Sequence, residues 1–599
     1  MPKLTNAKTE KKQVFKDVLC FRFVVVKMLR VTILDGYVDE PTCLGVPPYI
    51  SPYPRYMAGA IWSYDDAAQV FYVTIDQMRK DRSLLDVLSS SDLIIVITGM
   101  SVPGRYLSGL PASPNEVISL LEDMNKPLKI LCGPAARYGF GLSGGKKTIE
   151  TCFVETVFDL IISGDGELVI HELLKNRLDV EKIDPTLCRE HAGVVRDFAV
   201  KGSNVIRQHP FFPDYLIAEI ETYRGCSRSI VGGCSFCSEP SKGPPDFRPV
   251  RDIVDEVKAL YDNGVRHFRL GNQPCIFSYM SKDARESEFP QPNPDALEKL
   301  FKNIRTIAPD LRTLHIDNAN PGILARYPRE CRSIAKTIIK YHTPGDVAAL
   351  GVESVDPVVI HKNNLKASSE DILQAIKLLN EVGAERGCNG LPELLPGLNF
   401  VFGLEGETKT TFDLDYAFLK QVYDNGFLLR RINLRQVIPI PGTKMFHIGD
   451  KFVKKNKHEF HRFKRMVREN IERPMLERLV PKGTIFKDVF TEMHEGKLTF
   501  SRQLGSYPLL VGIPGVLPLH RFFDVKIVDY GYRSITAVPY PLDINTASRE
   551  TIEALPNVGK KRAIRILAHR PFKDKEEFIR SLDDPDAGNE LLEYVTFTE

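Results

Sequence analysis

Apolar residues in this chain come mostly in short runs of strand length, separated by stretches whose apolar positions recur three and four apart, the mark of a helix with one buried face. In the first third, residues 31–34, 93–97, 129–132 and 160–162 are such runs, and 115–124 is a helix-like segment between two of them. Strands alternating with helices predict a parallel, doubly wound sheet with helices on both faces. A second series follows at 216–220, 265–270, 313–316, 348–352, 398–402 and 432–438, with an amphipathic helix predicted over 250–261. From 451 to 478 lysine and arginine interleave with Phe452, Phe460, Phe463 and Met466, which predicts a helix packing its aromatics inward and solvating its charges. Shorter β-like runs at 509–513, 525–528 and 534–538, separated by Gly and Pro, predict a small antiparallel unit.

Cut along these changes of pattern, the 599 residues divide into an N-terminal extension (1–27), a Rossmann-like domain (28–200), a central strand–helix domain (210–445), a basic helical segment (446–500), a small β unit (501–541) and a helical tail (542–599). The extension is Lys-rich and without core periodicity, and Met28 reads as the natural start of translation. Hydrophobic content of 43% and charged content of 26% are ordinary for globular chains. The net charge of +3 excludes a bulk polyanion binder, so any nucleic-acid contact has to be local. Eleven cysteines are too sparse for a disulfide scaffold, and the apolar stretch 19–34 carries Arg22, Lys27 and Arg30, so a reduced, cytoplasmic chain with no membrane partner is expected.

The cysteines change the picture at one place. Cys226, Cys234 and Cys237 share a glycine-containing loop with the spacing C-x7-C-x2-C, directly after the first strand of the second series. Three thiolates at short separation suit one metal or cluster: a structural zinc would want a fourth ligand, whereas an iron–sulfur cube held by three keeps one iron open. The loop resembles that of the radical S-adenosylmethionine (SAM) enzymes, whose signature is C-x3-C-x2-C with an aromatic before the last cysteine, here Phe236. The first gap is seven residues instead of three, a lengthening that adds little closure entropy.

The resemblance implies a partial (βα)6 TIM-type barrel, so that the whole is an α/β multidomain chain. It implies a [4Fe–4S] cluster on the cysteine triad and SAM on the open iron, with Phe236 near the adenine. It implies SAM contacts from Gly271 and Asn272 at the end of the second strand, where the family often has Gly-Gly-Glu, and from Gly351, Glu353 and Ser354 in the turn after the fourth. In that family one electron, from a donor such as ferredoxin or flavodoxin, splits SAM to methionine and a 5′-deoxyadenosyl radical that takes a substrate hydrogen.

Residues 49–61, 99–110 and Asp165-Gly166-Glu167 resemble the cobalamin-binding-type domain that precedes such barrels, without its D-x-H-x-x-G motif and with no histidine before His171. The reading favoured is that the domain keeps the fold and binds something else. Cys43, Cys132 and Cys152 are weighed as a second cluster site and read as unpaired cysteines. In the tail, Pro556-Asn557-Val558-Gly559-Lys560-Lys561-Arg562 resembles a helix-hairpin-helix, which implies either a protein–protein adaptor or, the reading favoured, phosphate contact of RNA or DNA at Gly559, Lys560, Lys561 and Arg562. Taken whole, residues 28–599 resemble an archaeal-type group of radical SAM proteins with such a tail. Three functions follow: radical modification of a substrate such as a nucleic acid, cobalamin-assisted methylation of a small molecule or protein, and a non-enzymatic nucleic-acid binder with structural zinc.

Overall fold

The computed structural model describes residues 28–37, 48–99 and 110–598. The N-terminal extension, the start at Met28 as judged from it, Cys43 and most of 99–110 therefore lie outside the described residues. Strands β1 (Arg30–Asp35), β3 (Gln69–Thr74), β4 (Leu93–Ile97), β5 (Leu128–Cys132) and β6 (Leu160–Ile161) form a parallel sheet in the order β3-β1-β4-β5-β6. The order reverses between β1 and β4, and a ligand crevice of a doubly wound sheet opens at the carboxyl ends of that pair. β4 is apolar at all five positions because helices cover both of its faces.

One strand of the first third does not belong to that sheet. β2 (Tyr49–Ile50) pairs in parallel with β7 (Ile217–Glu221), so residues expected in the N-terminal domain extend the central one. A short antiparallel pair, β8 (Tyr223–Arg224) and β9 (Asp246–Phe247), brackets the cysteine loop. The remaining strands are β10 (His267–Gly271), β11 (Thr313–Ile316), β12 (Asn318–Ala319), β13 (Asp346–Glu353), β14 (Leu394–Phe402) and β15 (Arg431–Gln436), all parallel. β11 and β12 are one strand interrupted at Asp317, so six strands run β7-β10-β11/β12-β13-β14-β15 as a barrel that does not close. Helices such as Val250–Asp262, Pro294–Ile307 and Pro328–Tyr341 bury one apolar face against its outside.

After the barrel, the helix Lys457–Val467 buries Phe460 and Phe463 against Phe402 and Phe412. It passes through a π-helical turn, Arg468–Glu472, into the helix Arg473–Leu479. The basic helical segment ends there, short of residue 500. The β unit is also larger than expected: β16 (Ile485–Glu495), β17 (Leu498–Gln503), β18 (Leu510–Pro514), β19 (Phe522–Tyr530) and β20 (Ser534–Pro539) close into a barrel in the order β16-β17-β18-β20-β19. Its β18–β20 contact is parallel, so the unit is a five-stranded Greek-key barrel of OB type and not a purely antiparallel one. The fully buried pair Arg502–Glu492 sits in its wall, and Tyr215, ahead of β7, stacks on Phe490 at 4.0 Å and bonds Glu492. The tail is four short helices tied by β21 (Leu542–Asp543) to β22 (Val595–Thr596). Among the described residues no helix is long and apolar enough to cross a membrane.

Candidate functional site

The carboxyl ends of β7, β10, β11/β12 and β13, with Asn399 of β14, surround a cavity of about 390 Å³. Cys226, Cys234, Cys237 and Phe236 form one part of its wall, Asn272 and Gln273 another, and Gly351, Glu353 and Asn399 a third. All three thiols are half-buried, unpaired and close enough to act on one another's charge. Burial pushes Cys226 up to about 11 and Cys237 up to about 12, so thiolates here need a bound cation. Among the described residues no three His, Cys, Asp or Glu side chains come close enough to share one ion. Three thiols without a fourth ligand suit three corners of a cluster and do not support the structural-zinc reading. Cys275 also lines the cavity, but its sulfur accepts the Asn320 N–H at 3.2 Å.

The extra residues of the first gap fold as a 3₁₀ turn, Ser227–Val231, ended by Gly232 in the left-handed region. Arg228, 3% exposed, pins this turn: its guanidinium donates to Asn364 O and Oδ1 at 2.9 Å each and to Glu288 Oε2 at 3.1 Å. Asn364 closes the ring by donating to Val231 O and Gly233 O. Gly225 at φ +82° begins the loop, where a Cβ would meet Pro244 O at 2.4 Å.

In the turn after β13, Glu353 takes a left-handed φ of +59° and Asn272, after β10, one of +57°; such conformations in non-glycine residues are costly and cluster at functional sites. Glu353 accepts Lys366 Nζ at 3.1 Å through both oxygens. A Cβ on Gly351 would lie 2.3 Å from that ammonium, so a larger residue there would displace Lys366 from its place beside Glu353. Asn272 donates to Glu221 at 3.2 Å, and Glu221 is paired with Arg189 at 2.5 Å. Gly271 is the β10 terminus beside Glu219 and is set back from the cavity wall. Ser354 is likewise not on the wall: its hydroxyl donates to the buried Asp415 at 3.1 Å and accepts Asp356 N–H. Burial pushes Asp415 up to about 8.

Below these residues the lumen is polar. Glu219, Arg269, Asp317, Asn399 and Asn433 point inward from every strand but β13, with Arg269 paired to Glu219 at 2.6 Å and Asn433 bonded to Asn399 at 2.6 Å. Its floor comes from the OB-type barrel. The loop 504–509 enters from beneath, Ser506 N–H bonding His315 Nδ1 at 3.1 Å and the Tyr507 hydroxyl bonding Asp317. Lys366, Asp317, Asn399 and Tyr507 were not anticipated from sequence. For Asn399, and for Glu219, Arg269 and Asn433 beside it, the signal was a polar residue inside an otherwise apolar strand.

The candidate residues in the N-terminal domain and tail are elsewhere. Asp165 and Glu167 bind Arg224 and Arg189, and so attach the first sheet to the barrel. His171 bonds Ala60 O and packs on Phe198, so its imidazole is engaged within the domain. The D-x-H-x-x-G histidine that would ligate cobalt has no counterpart in the sequence of this domain. Cys132 is in the core while Cys152 is exposed, so they share no site. In the tail, helices Arg549–Glu553 and Lys560–His569 meet at a turn with Asn557 at φ +59° and Gly559 at φ +36°. Lys560 and Lys561 are exposed, but Arg562 is held by Asp583, Asp584 and Asn557 O, which removes its charge from a phosphate surface.

The sequence matches the radical SAM superfamily over residues 220–416. It is 50% identical over 520 residues to an uncharacterised protein of Methanocaldococcus jannaschii, covering 86% of this chain and 94% of that one. A second uncharacterised protein, from Archaeoglobus fulgidus, is 45% identical over 569 residues, covering 95% and 99%. The ribosomal protein uS12 methylthiotransferase RimO of Actinobacillus succinogenes is 25% identical over 307 residues, 49% of this chain and 61% of that protein. Among solved structures, the radical SAM methyltransferase TsrM of Kitasatospora setae aligns at 14% identity and a TM-score of 0.44, over 69% of this chain and 74% of that one.

Proposed function

Because the chain belongs to the radical SAM superfamily and is an enzyme that uses a [4Fe–4S] cluster and SAM, we propose that it modifies a polar substrate held in the barrel lumen by hydrogen-atom abstraction. When bound, cluster and SAM supply one chemistry: an electron from a ferredoxin- or flavodoxin-type donor splits SAM and yields a 5′-deoxyadenosyl radical. The chain's own residues do the rest. Cys226, Cys234 and Cys237 would hold three irons and leave the fourth to the substrate side. Lys366 neutralises Glu353 beside the triad and so sets the charge of the wall that faces SAM. Phe236 and the strand turns exclude water, and Glu219, Arg269, Asp317 and Asn399 orient the reacting molecule below. The observation that carries this reading is that the three thiols of one loop meet on the wall of one cavity with Asn272, Gly351 and Glu353. The likeness to a methylthiotransferase over half the chain supports group transfer as the outcome.

The test is anaerobic reconstitution. The chain is expected to take up about four irons and four sulfides, to show a SAM-responsive paramagnetic signal after reduction, and to release 5′-deoxyadenosine. The Cys226→Ala/Cys234→Ala/Cys237→Ala variant should lose all three. One tightly bound zinc, or a triple variant that behaves as wild type, overturns the reading.

A further inference from the structure

A second cavity, of about 90 Å³, lies between the end of the partial barrel and the OB-type barrel. Arg430, Arg431, Glu472, Tyr507, Tyr532 and Arg533 line it, together with aliphatic side chains of the helix Arg473–Leu479. Ligand pockets that enclose a whole small molecule run from about 300 Å³ upward, so this one has room for a single group of something larger.

Its charge is unbalanced. Arg430 is 5% exposed; it donates to Tyr507 O at 2.7 Å, and its Nε has no partner. Arg431 lies 4.2 Å over the Tyr507 ring and bonds Asn433. Arg435, two strand positions beyond Asn433, shares its inward face; its buried Nε is also without a partner. Lys464 and Arg468 approach from the helix and its π turn, and Arg533 from the β19–β20 loop. Only Arg533 pairs with a carboxylate, Glu472 at 3.3 Å; among the described residues the other five make no ion pair. Burial, then mutual repulsion, pushes Arg430 down to about 9, and burial and neighbouring cations including Arg435 push Arg431 down to about 10. An anion between them would relieve both costs.

The cations lead inward. β15 is the last strand of its sheet, so the barrel is open along this side. Arg431 touches Tyr507, whose hydroxyl bonds Asp317 on the wall of the larger cavity. Tyr532, 58% exposed, offers a ring at the outer rim.

We propose that this arginine-lined cavity holds a phosphate of the substrate, so that the enzyme acts on a phosphate ester of the nucleotide class entering from the open side of the barrel. Planar guanidiniums in a fixed array suit phosphate oxygens, and an exposed tyrosine beside them suits a base. The inference rests on the proposed function only in calling the ligand a substrate.

The iron-loaded, full-length chain, saturated with SAM, is titrated into fluorescein-labelled single-stranded RNA of mixed sequence, about twelve nucleotides long, over a range of salt. AMP serves as competitor. Affinity should fall linearly with salt on logarithmic axes. Arg435→Ala and Arg533→Ala should each weaken binding about 3- to 10-fold and lower the salt slope by about one, while Arg435→Lys keeps most of that slope. Displacement by AMP at similar concentration identifies a small phosphate ester; RNA binding that AMP does not displace identifies a strand. No binding of RNA or AMP at the lowest salt overturns the proposal. So does unchanged affinity and slope in both alanine variants, with binding lost instead in Lys560→Ala/Lys561→Ala. Iron content and the SAM-responsive signal of each variant report the cluster site separately.

Discussion

Arg228 lets a seven-residue gap do the work of a three-residue one. Without it the 3₁₀ turn between Cys226 and Cys234 would lose its tie to Glu288 Oε2, and Asn364, which bonds Val231 O and Gly233 O, would lose the donor that fixes its side chain. Hydrogen bonds to a buried charged group contribute about 1.5–3 kcal/mol each. Arg228→Ala should therefore cut iron retention after gel filtration by half or more while leaving the denaturant midpoint of the OB-type barrel unchanged. Equal iron retention would show that the cluster orders the loop by itself. That the triad, Gly351 and Glu353 lie on one cavity wall was legible because cysteine spacing and a glycine turn are local properties of the chain. Lys366 was not, since its place beside Glu353 depends on the helix and turn that bring the chain back. The partner of the Ser354 hydroxyl was hidden for the same reason: it is Asp415, more than sixty positions away.

At the scale of elements, the strand periods placed the six central strands well, because buried parallel strands are apolar along their whole length. β2 was invisible, as two residues carry no period. β16 and β17 were overlooked because β16 follows the basic helices directly and carries Lys487 and Asp488 in its exposed stretch. What unites the elements below the site is the loop 504–509, whose Tyr507 joins the OB-type barrel to the lumen. Tyr507→Phe should cost about 1.5–3 kcal/mol by leaving Asp317 without its hydroxyl donor. Tyr507→Ala should cost about 3–5 kcal/mol by opening space between the two cavities as well. Urea midpoints check both, and equal midpoints for the two variants would contradict a packed floor.

Across the whole molecule, the first sheet is fixed to the barrel by charges that water does not reach. Arg189 holds Glu167 and Glu221 at 2.5 Å each, and Arg248 and Arg55 share the fully buried Glu256. Burial raises Glu221, and Arg189 and Arg248 together outweigh it, so the carboxylate stays below its usual range. Removing one member of such a network strands the others. Arg189→Ala should destabilise the chain by about 3–5 kcal/mol. Hydrogen exchange should show the helix Gly166–Lys175 losing protection before the OB-type barrel does; uniform loss would mean the two halves unfold as one.

The parallel pairing of Tyr49–Ile50 with Ile217–Glu221 carries a consequence for how the enzyme is made and cut. The strand that leads into the cysteine loop leans on a partner synthesised long before it, so a nascent barrel grows against a template already laid down. A catalytic core excised at its own apparent borders would leave that flank bare, and copies of it would zip together along the seam that Tyr49 and Ile50 normally occupy.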